Sequence, residues 1–433
     1  MKTAQPVPVS ATNSTIRPPG SKSITNRALV CAALARGTSR LTGVLDSEDT
    51  TVMIEAWKQL GLQVHHDKEL CQIDMDGCGG GLPNNQAKLF VANSGTTIRF
   101  LTAALAACPG RFELDGVARM RQRPIGDLLS ALNQLGANVQ SLNTENSACP
   151  PVLIESKGLQ GGLARVAGNI SSQFLSGLMM AAPMAQTPVT LEVLGELVSV
   201  PYVAMTASLM RSFGAVVNGS ESGPYNIDTK YKYVGSDYEI EPDASAASYF
   251  WAAAAITGGR AFVEGLNRQS LQGDVRFCEV LKQMGCKVTY SADGTEVIAG
   301  DCLRGVDVDM ADISDTVQTL AAVALFAEGS TTVRGVAHNR VKETDRISDL
   351  ATELRKLGAR VDEFDDGLTI HPPEKVNACS IDTYHDHRMA MSLALVGLRV
   401  PRIEICDPDC TSKTYPNYWQ DLAKFTRSTI VVS

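Results

Sequence analysis

The sequence predicts a mixed α/β (α+β) protein of two similar domains, each made from three copies of one unit. Three observations carry this expectation. A phrase of leucine, two residues, a bulky apolar residue, Gly, two residues and Val returns around Gly61, Gly136, Gly214, Gly285 and Gly358, every 71 to 78 residues. Its first copy has Trp57 for the leading Leu, and its third carries one extra residue. Polar caps open apolar helices rich in small residues at Ser21, Asn93, Asn169, Asp243, Asp315 and Asp386, 71 to 76 residues apart. Short alternating runs such as 111–115 and 331–334 separate them.

Each element of the unit has a physical reading. The glycine phrase is a helix that ends at a Gly C-cap and passes directly into a strand opened by Val. The capped segments are uncharged beyond their first turn and rich in Ala, as helices buried on every side are. The alternating runs read as strands. Every unit thus holds two helices and several strands, and there are six units. The last is short: 48 residues run from Asp386 to the end, and the 20 residues before Ser21 have no helix of their own. Together they make nearly one period, so the N-terminal segment is expected to cross back and complete the final unit. The expected domains are 21–240, and 1–20 plus 241–433, with a second crossing within 234–243.

Composition sets the outer limits. A chain of 433 residues, 44% hydrophobic and 20% charged, is an ordinary globular composition that needs no disulfide or metal staple. No run of 18 apolar residues is present, so no membrane-spanning helix is expected. The first residues lack an apolar signal core, so the mature chain is expected to be the whole chain, in the cytoplasm. Eleven cysteines without CxxC pairing read as reduced thiols. A net charge of −8 argues against nucleic acid or anionic membrane as partners. Any anionic ligand must be held by cations concentrated in one place.

Such concentrations exist at the helix tips. Lys22, Ser23 and Arg27 follow Gly20; Gly95 and Thr96 precede Arg99; Ser171, Ser172 and Gln173 form a third tip; His387 and Arg388 form the last. Unpaired N–H groups and the helix dipole make these ends natural anion sites. The second helix family also opens on cations: Arg119, Arg121 and Arg123; Lys342 and Arg346; Lys413. A cation at a helix start opposes the dipole, which implies that an anion compensates. Asp315 reads as an N-cap and Glu343 as a first-turn acid, and either could transfer protons inside a cationic cleft. The close histidines, His65-His66 and His385 with His387, lack the third ligand and spacing of a zinc site, so no metal is expected. Gly77–Gly81 reads as a loop, and Gly20-Ser-Lys-Ser lacks the earlier glycine of a phosphate loop.

Seven segments in order, Pro19-Gly-Ser-Lys-Ser, Asn93-Ser-Gly-Thr-Thr, Arg121-Gln-Arg-Pro-Ile-Gly, Ser171-Ser-Gln, Arg340-Val-Lys-Glu-Thr-Asp-Arg, Asp386-His-Arg-Met and Ser412-Lys-Thr-Tyr-Pro, resemble the 3-phosphoshikimate 1-carboxyvinyltransferase family. The resemblance implies the enolpyruvyl transferase fold, two domains of three βαβαββ-type units with a cleft that closes on substrates. It implies transfer of the enolpyruvyl group of phosphoenolpyruvate to the 5-hydroxyl of shikimate 3-phosphate through a tetrahedral intermediate. Phosphate is released, and neither metal nor organic cofactor takes part. It places the chain in the shikimate pathway to chorismate and aromatic amino acids, and a monomer is expected. Two unit charges 4 Å apart repel by about 4 kcal/mol at an effective dielectric near 20, which gives the crowding of Lys and Arg its reason.

Carried over residue by residue, the resemblance assigns Lys22, Ser23, Arg27, Ser171, Ser172, Gln173, Ser199, Tyr202, Asp315 and Lys342 to shikimate 3-phosphate. It assigns Lys22, Gly95, Arg123, Gln173, Arg346, Arg388 and Lys413 to phosphoenolpyruvate. Asp315, Glu343 and Lys22 are the proton-transfer candidates, with Asp315 favoured for the 5-hydroxyl proton and Lys22 for the methylene carbon. Two positions depart from the family. Phe100 stands where many members have Pro, beside the site at which glyphosate competes in this family. His338 stands where many have Asn, with Asn339 next, and the sequence leaves open which of the two meets the shikimate phosphate. A UDP-N-acetylglucosamine enolpyruvyl transferase is disfavoured because 115–124 lacks the reactive Cys of that group. A phosphosugar sensor would not need Lys22, Asp315 and Glu343 together.

Overall fold

The computed structural model describes residues 2–220 and 223–432. The chain forms two compact units, Gly20–Ile240, and Met1–Pro19 with Glu241–Ser433. Gly20 falls one residue earlier in its unit than the repeat arithmetic places it.

Within Gly20–Ile240 one sheet pattern occurs three times. Gln86–Phe90 runs parallel to Pro109–Asp115, which pairs antiparallel with Val152–Lys157, which pairs antiparallel with Val139–Ser141. Gly162–Ala167, Val189–Leu194, Tyr225–Asp228 and Val216–Asn218 repeat that order. So do Asp237–Glu239, Arg36–Thr42, Gln72–Cys78 and Val64–Asp67, the first strand coming from the far end of the unit. The helices Lys22–Leu34, Gly95–Ala106 and Ser172–Ala181 each precede the second strand of their sheet and pack on one another. They are buried almost throughout, because Ala, Leu, Val and Gly occupy every side of them.

The other unit repeats the pattern three times more. Its sheets are Asn13–Ile16, Arg260–Glu264, Gly294–Ile298 and Lys287–Tyr290; Asp307–Asp309, Thr331–Arg334, Gly367–His371 and Arg360–Phe364; and Ser380–Ile381, Glu404–Cys406, Thr3–Gln5 and Val431–Val432. The N-terminal lead therefore serves two sheets rather than the final one alone. Thr3–Gln5 pairs with Glu404–Cys406 and with Val431–Val432, while Asn13–Ile16 lies parallel to Arg260–Glu264. The buried helices here are Ala244–Thr257, Val317–Ala324 and His387–Ala394. Hydroxyls at facing positions tie them together: Thr319 Oγ1 lies 3.1 Å from both Ser248 Oγ and Ser392 Oγ. Trp251 is fully buried and donates its indole N–H to Thr295 O at 3.2 Å.

The five repeat glycines sit just past helix ends with φ between 86° and 110°, the left-handed conformation that the C-cap reading requires. The caps differ in detail. Ser21, Asp243 and Asp386 accept from backbone N–H groups of their helices as expected. The second and third tips are capped by Ser94 and Ser171 instead of Asn93 and Asn169. Asp315 caps nothing: it lies in the 3-10 segment Ala311–Thr316, ahead of a helix that has no side-chain cap.

Removing residues 1–6 takes the inner strand from between Glu404–Cys406 and Val431–Val432 and exposes the buried face around Ala4. Urea unfolding of that truncation is expected to show a loss on the order of 3 kcal/mol, from several backbone hydrogen bonds at roughly 1 kcal/mol each.

Candidate active site

In Gly20–Ile240 the motif residues gather on the tips of the three buried helices. Lys22 is the first helical residue after its cap, and its Nζ lies 3.5 Å from Asp49 Oδ2. Asp49 is buried in the first turn of Glu48–Gln59, and Thr97 Oγ1 donates to its carbonyl. One turn beyond Lys22, Arg27 is buried and donates to Thr206 Oγ1 at 2.7 Å, Ser23 O at 2.9 Å, Ser176 Oγ at 3.3 Å and Tyr202 O at 3.5 Å. Its guanidinium also faces the rings of Phe100 and Tyr202 at 5.0 and 5.8 Å. No carboxylate is among these partners. Burial lowers Arg27 to about 10 despite the opposing pull of Tyr202 and Cys31, so it stays cationic at neutral pH.

A second group forms around Gly95. Arg123, 5% exposed, reaches back to Asn93 O at 3.1 Å, and its guanidinium covers Gly95 so closely that a Cβ there would lie 2.4 Å from a terminal nitrogen. Arg99 donates to Gln173 Oε1 at 2.6 Å and to Pro124 O at 3.2 Å, and Gln173 Nε2 donates to Thr96 Oγ1 at 3.2 Å. These bonds fix Gln173 against the tip of the neighbouring helix. Ser171 caps the Gln173 helix, and Ser172 is buried beside it. Ser199 opens the Tyr202 helix at φ 54°, a conformation rare outside glycine and frequent at functional sites.

The other unit holds a denser cluster. Asp315 Oδ1 accepts from Lys342 Nζ at 2.7 Å and from Arg346 at 3.2 Å, while its Oδ2 accepts from Arg388 at 2.7 Å. Arg346, 2% exposed, also pairs with Asp386 at 2.6 Å and with Glu343 at 2.9 Å. Glu343 in turn lies 3.4 Å from Lys413 Nζ. Four cations thus hold three carboxylates. Burial opposes the charge on Arg346, but Asp386, Glu343 and Asp315 more than offset it and raise its pKa. Burial lowers the Lys342 ammonium, aided by Arg346 and Arg388 and opposed by Asp315.

The basic residues of the second helix family do not stand at helix starts. Arg121 lies in a 3-10 turn at 120–122 and Arg123 follows it, ahead of Gly126–Gln134. Lys342 and Arg346 fall between the turn Ala337–Val341 and Ser348–Lys356, and Lys413 ends the turn Pro408–Lys413 ahead of Tyr418–Thr426. The helix dipole therefore does not oppose them, and in the second cluster carboxylates compensate their charge. Arg121 stays outside the clusters, paired on the surface with Asp115. Sequence reasoning missed Asp49, Ser314 and the three-carboxylate role of Arg346. For Asp49 a signal was present, since 46–49 holds three acids and one serine, but it reads as an ordinary first turn.

His338 and Asn339 both reach Ser314: His338 Nε2 lies 2.9 Å from Ser314 Oγ, and Asn339 Nδ2 donates to Ser314 O at 3.1 Å. Burial, with Lys342 alongside, pushes His338 down to about 3 against the pull of Asp315.

Two outcomes follow from this geometry. Gly95→Ala is expected to push the flexible end of Arg123 aside while changing stability by less than about 1 kcal/mol; unfolding curves and anion-binding titrations would show the two effects separately. An unfolded histidine takes up its proton near pH 6.5, whereas folded His338 does so only near 3, so stability is lost as pH falls below 6.5. Urea unfolding at pH 7.5 and 5.0 is expected to show a larger loss for the native chain than for His338→Gln.

The family described as EPSP synthase (3-phosphoshikimate 1-carboxyvinyltransferase) matches residues 7–422. A 3-phosphoshikimate 1-carboxyvinyltransferase of Trichormus variabilis is 49% identical over 408 residues, 94% of this chain and 95% of its own. The chloroplastic protein of that name from Arabidopsis thaliana is 46% identical over 438 residues, 97% of this chain and 84% of its own. Among solved structures, EPSP synthase from Acinetobacter baumannii is similar at TM-score 0.82 and 27% identity, over 100% of both chains. The enolpyruvyl transferase NikO from Streptomyces tendae shares the fold at TM-score 0.80 and 19% identity, over 100% of this chain and 99% of its own. The six four-stranded sheets and their buried helices are thus the enolpyruvyl transferase fold, and the chain belongs to the EPSP synthase (3-phosphoshikimate 1-carboxyvinyltransferase) family.

Proposed function

We propose that the chain transfers the enolpyruvyl group of phosphoenolpyruvate to the 5-hydroxyl of shikimate 3-phosphate and releases phosphate, serving aromatic amino acid biosynthesis in the cytoplasm. The observation that carries the reading is Asp315, a carboxylate drawn off its capping position and held by Lys342, Arg346 and Arg388. A structural cap needs none of these partners. A carboxylate set among anion-binding cations, and freed when they turn to a ligand, suits a proton acceptor.

In this reading shikimate 3-phosphate is held by Lys22, Ser23, Arg27, Ser171, Ser172, Gln173, Ser199, Tyr202, Asp315 and Lys342. Phosphoenolpyruvate is held by Lys22, Gly95, Arg123, Gln173, Arg346, Arg388 and Lys413. The absence of a carboxylate around buried Arg27 supports its part, because an anionic ligand would offset its desolvation. Both substrates carry a phosphate and a carboxylate, so each competes with Asp315 and Glu343 for the cations that now hold them. As the cations turn to the ligands, Asp315 becomes the stronger proton acceptor and takes the proton of the 5-hydroxyl. Attack on the central carbon of phosphoenolpyruvate needs a proton at its methylene, which Lys22 supplies, with Glu343 as the alternative donor. The tetrahedral adduct then expels phosphate as its methyl group returns a proton to the group that supplied it, restoring the carbon–carbon double bond, and fixed guanidinium groups stabilise the departing charge. The free cysteines agree with a reducing compartment.

Purified protein mixed with both substrates in the presence of a chelator is expected to release phosphate. No release, or equal release with UDP-N-acetylglucosamine as acceptor, would end the reading. Lys22→Ala and Arg388→Ala, one in each unit, are each expected to lower kcat/KM by roughly 100-fold or more while the thermal melt stays within a few degrees. Full activity in either variant would remove that cluster from the reaction.

A further inference from the structure

Lys342 is held by more than its carboxylate partner. Its Nζ donates to Asp315 Oδ1 at 2.7 Å and to Ser314 Oγ at 3.1 Å. Ser314 is 2% exposed, and among the described residues its hydroxyl has two partners, Lys342 Nζ and His338 Nε2. An ammonium group can only donate, so Ser314 Oγ accepts from Lys342. The hydroxyl proton then has one acceptor within reach, His338 Nε2 at 2.9 Å. This assigns His338 the neutral Nδ1–H tautomer, with Nε2 as acceptor.

The opposite tautomer fares worse. With Nε2–H donating to Ser314, the serine proton would have no acceptor and Nδ1 would stand as a second unsatisfied atom. In the assigned tautomer the single unsatisfied group is Nδ1, which is buried and has no hydrogen-bond partner among the described residues. One buried orphan is preferable to two. Lys342, Asp315 and Arg346 are the charged groups that face the ring, and with burial they keep it neutral. The bonds are also cooperative, since an ammonium polarises the hydroxyl that it binds and strengthens that hydroxyl as a donor.

We infer that Ser314 and His338 are positioning residues for Lys342, a relay Lys342 Nζ–H···Oγ–H···Nε2 that fixes the rotation of the ammonium group. Ser314 and Asp315 set two of its N–H directions and so hold the ammonium in one orientation toward the phosphorylated alcohol substrate. The relay therefore acts on binding of that substrate and not on phosphoenolpyruvate. The inference rests on the reading that Lys342 contacts shikimate 3-phosphate. The imidazole at position 338, where many family members have Asn, supplies the Nε2 that meets the Ser314 hydroxyl at 2.9 Å.

The test has two arms. In the native protein labelled with 15N-histidine, the His338 signal, identified by its loss in His338→Gln, is expected to report protonated Nδ1 and bare Nε2 from pH 8 to 5. In steady state, Ser314→Ala and His338→Leu are each expected to raise KM for shikimate 3-phosphate about tenfold with KM for phosphoenolpyruvate unchanged. His338→Gln, which restores an acceptor, is expected to recover most of the loss. A protonated Nε2, an unchanged KM for shikimate 3-phosphate, or a fall in kcat alone overturns the relay. Absence of turnover in the native enzyme would instead overturn the functional reading, and the nitrogen spectrum would still decide the tautomer.

Discussion

The chemistry of the Glu241–Ser433 unit depends on one buried guanidinium. Arg346 pairs with Asp315, Glu343 and Asp386 at once, and a cation in that position is what allows three carboxylates, one fully buried and two half-buried, to lie beside one another. Without it, like charges would sit within a few ångströms of one another in a medium of low polarity, where repulsion amounts to several kcal/mol for each pair. Lys342, Arg388 and Lys413 complete the balance at the edges. The arrangement is stable without ligands and remains open to exchange, since any incoming anion offers these cations another partner.

The repeat explains where this cluster comes from. Six units of the same order put six helix tips in equivalent places, and five are closed by an ordinary serine or aspartate cap. The sixth gives up its cap. A 3-10 segment carries Asp315 ahead of the helix, and the energy that a cap would contribute, roughly 1 kcal/mol, is replaced by ion pairs. The repeat thus supplies equivalent tips, and its single irregularity places a carboxylate among three cations.

Most of the architecture was legible in the sequence because it is written in local signals. A glycine with positive φ after each outer helix and a helix apolar on every side need no long-range information, and Gly61 through Gly358 marked the period directly. Irregular backbone was not legible in the same way. Neither the 3-10 turns that carry Arg121 and Lys413 and precede Lys342 nor the shift of caps to Ser94 and Ser171 has a propensity signature separable from a helix start. Asp49 was invisible for a different reason. Its meaning comes from Lys22, 27 positions earlier, and from no neighbour in the sequence.

The sheet order carries a consequence for biosynthesis. Thr3–Gln5 is made early in synthesis, yet one of its two neighbours is Val431–Val432, which is made far later. Asn13–Ile16 must likewise wait for Arg260–Glu264. The leading segment therefore stays unpaired until those distant strands have been made, and its unit closes only once Val431–Val432 is available. Gly20–Ile240, which contains all its own strands, can mature while the rest is still being made. Nascent chains stalled a few residues short of the C-terminus should therefore combine a protease-resistant middle with a cleavable beginning.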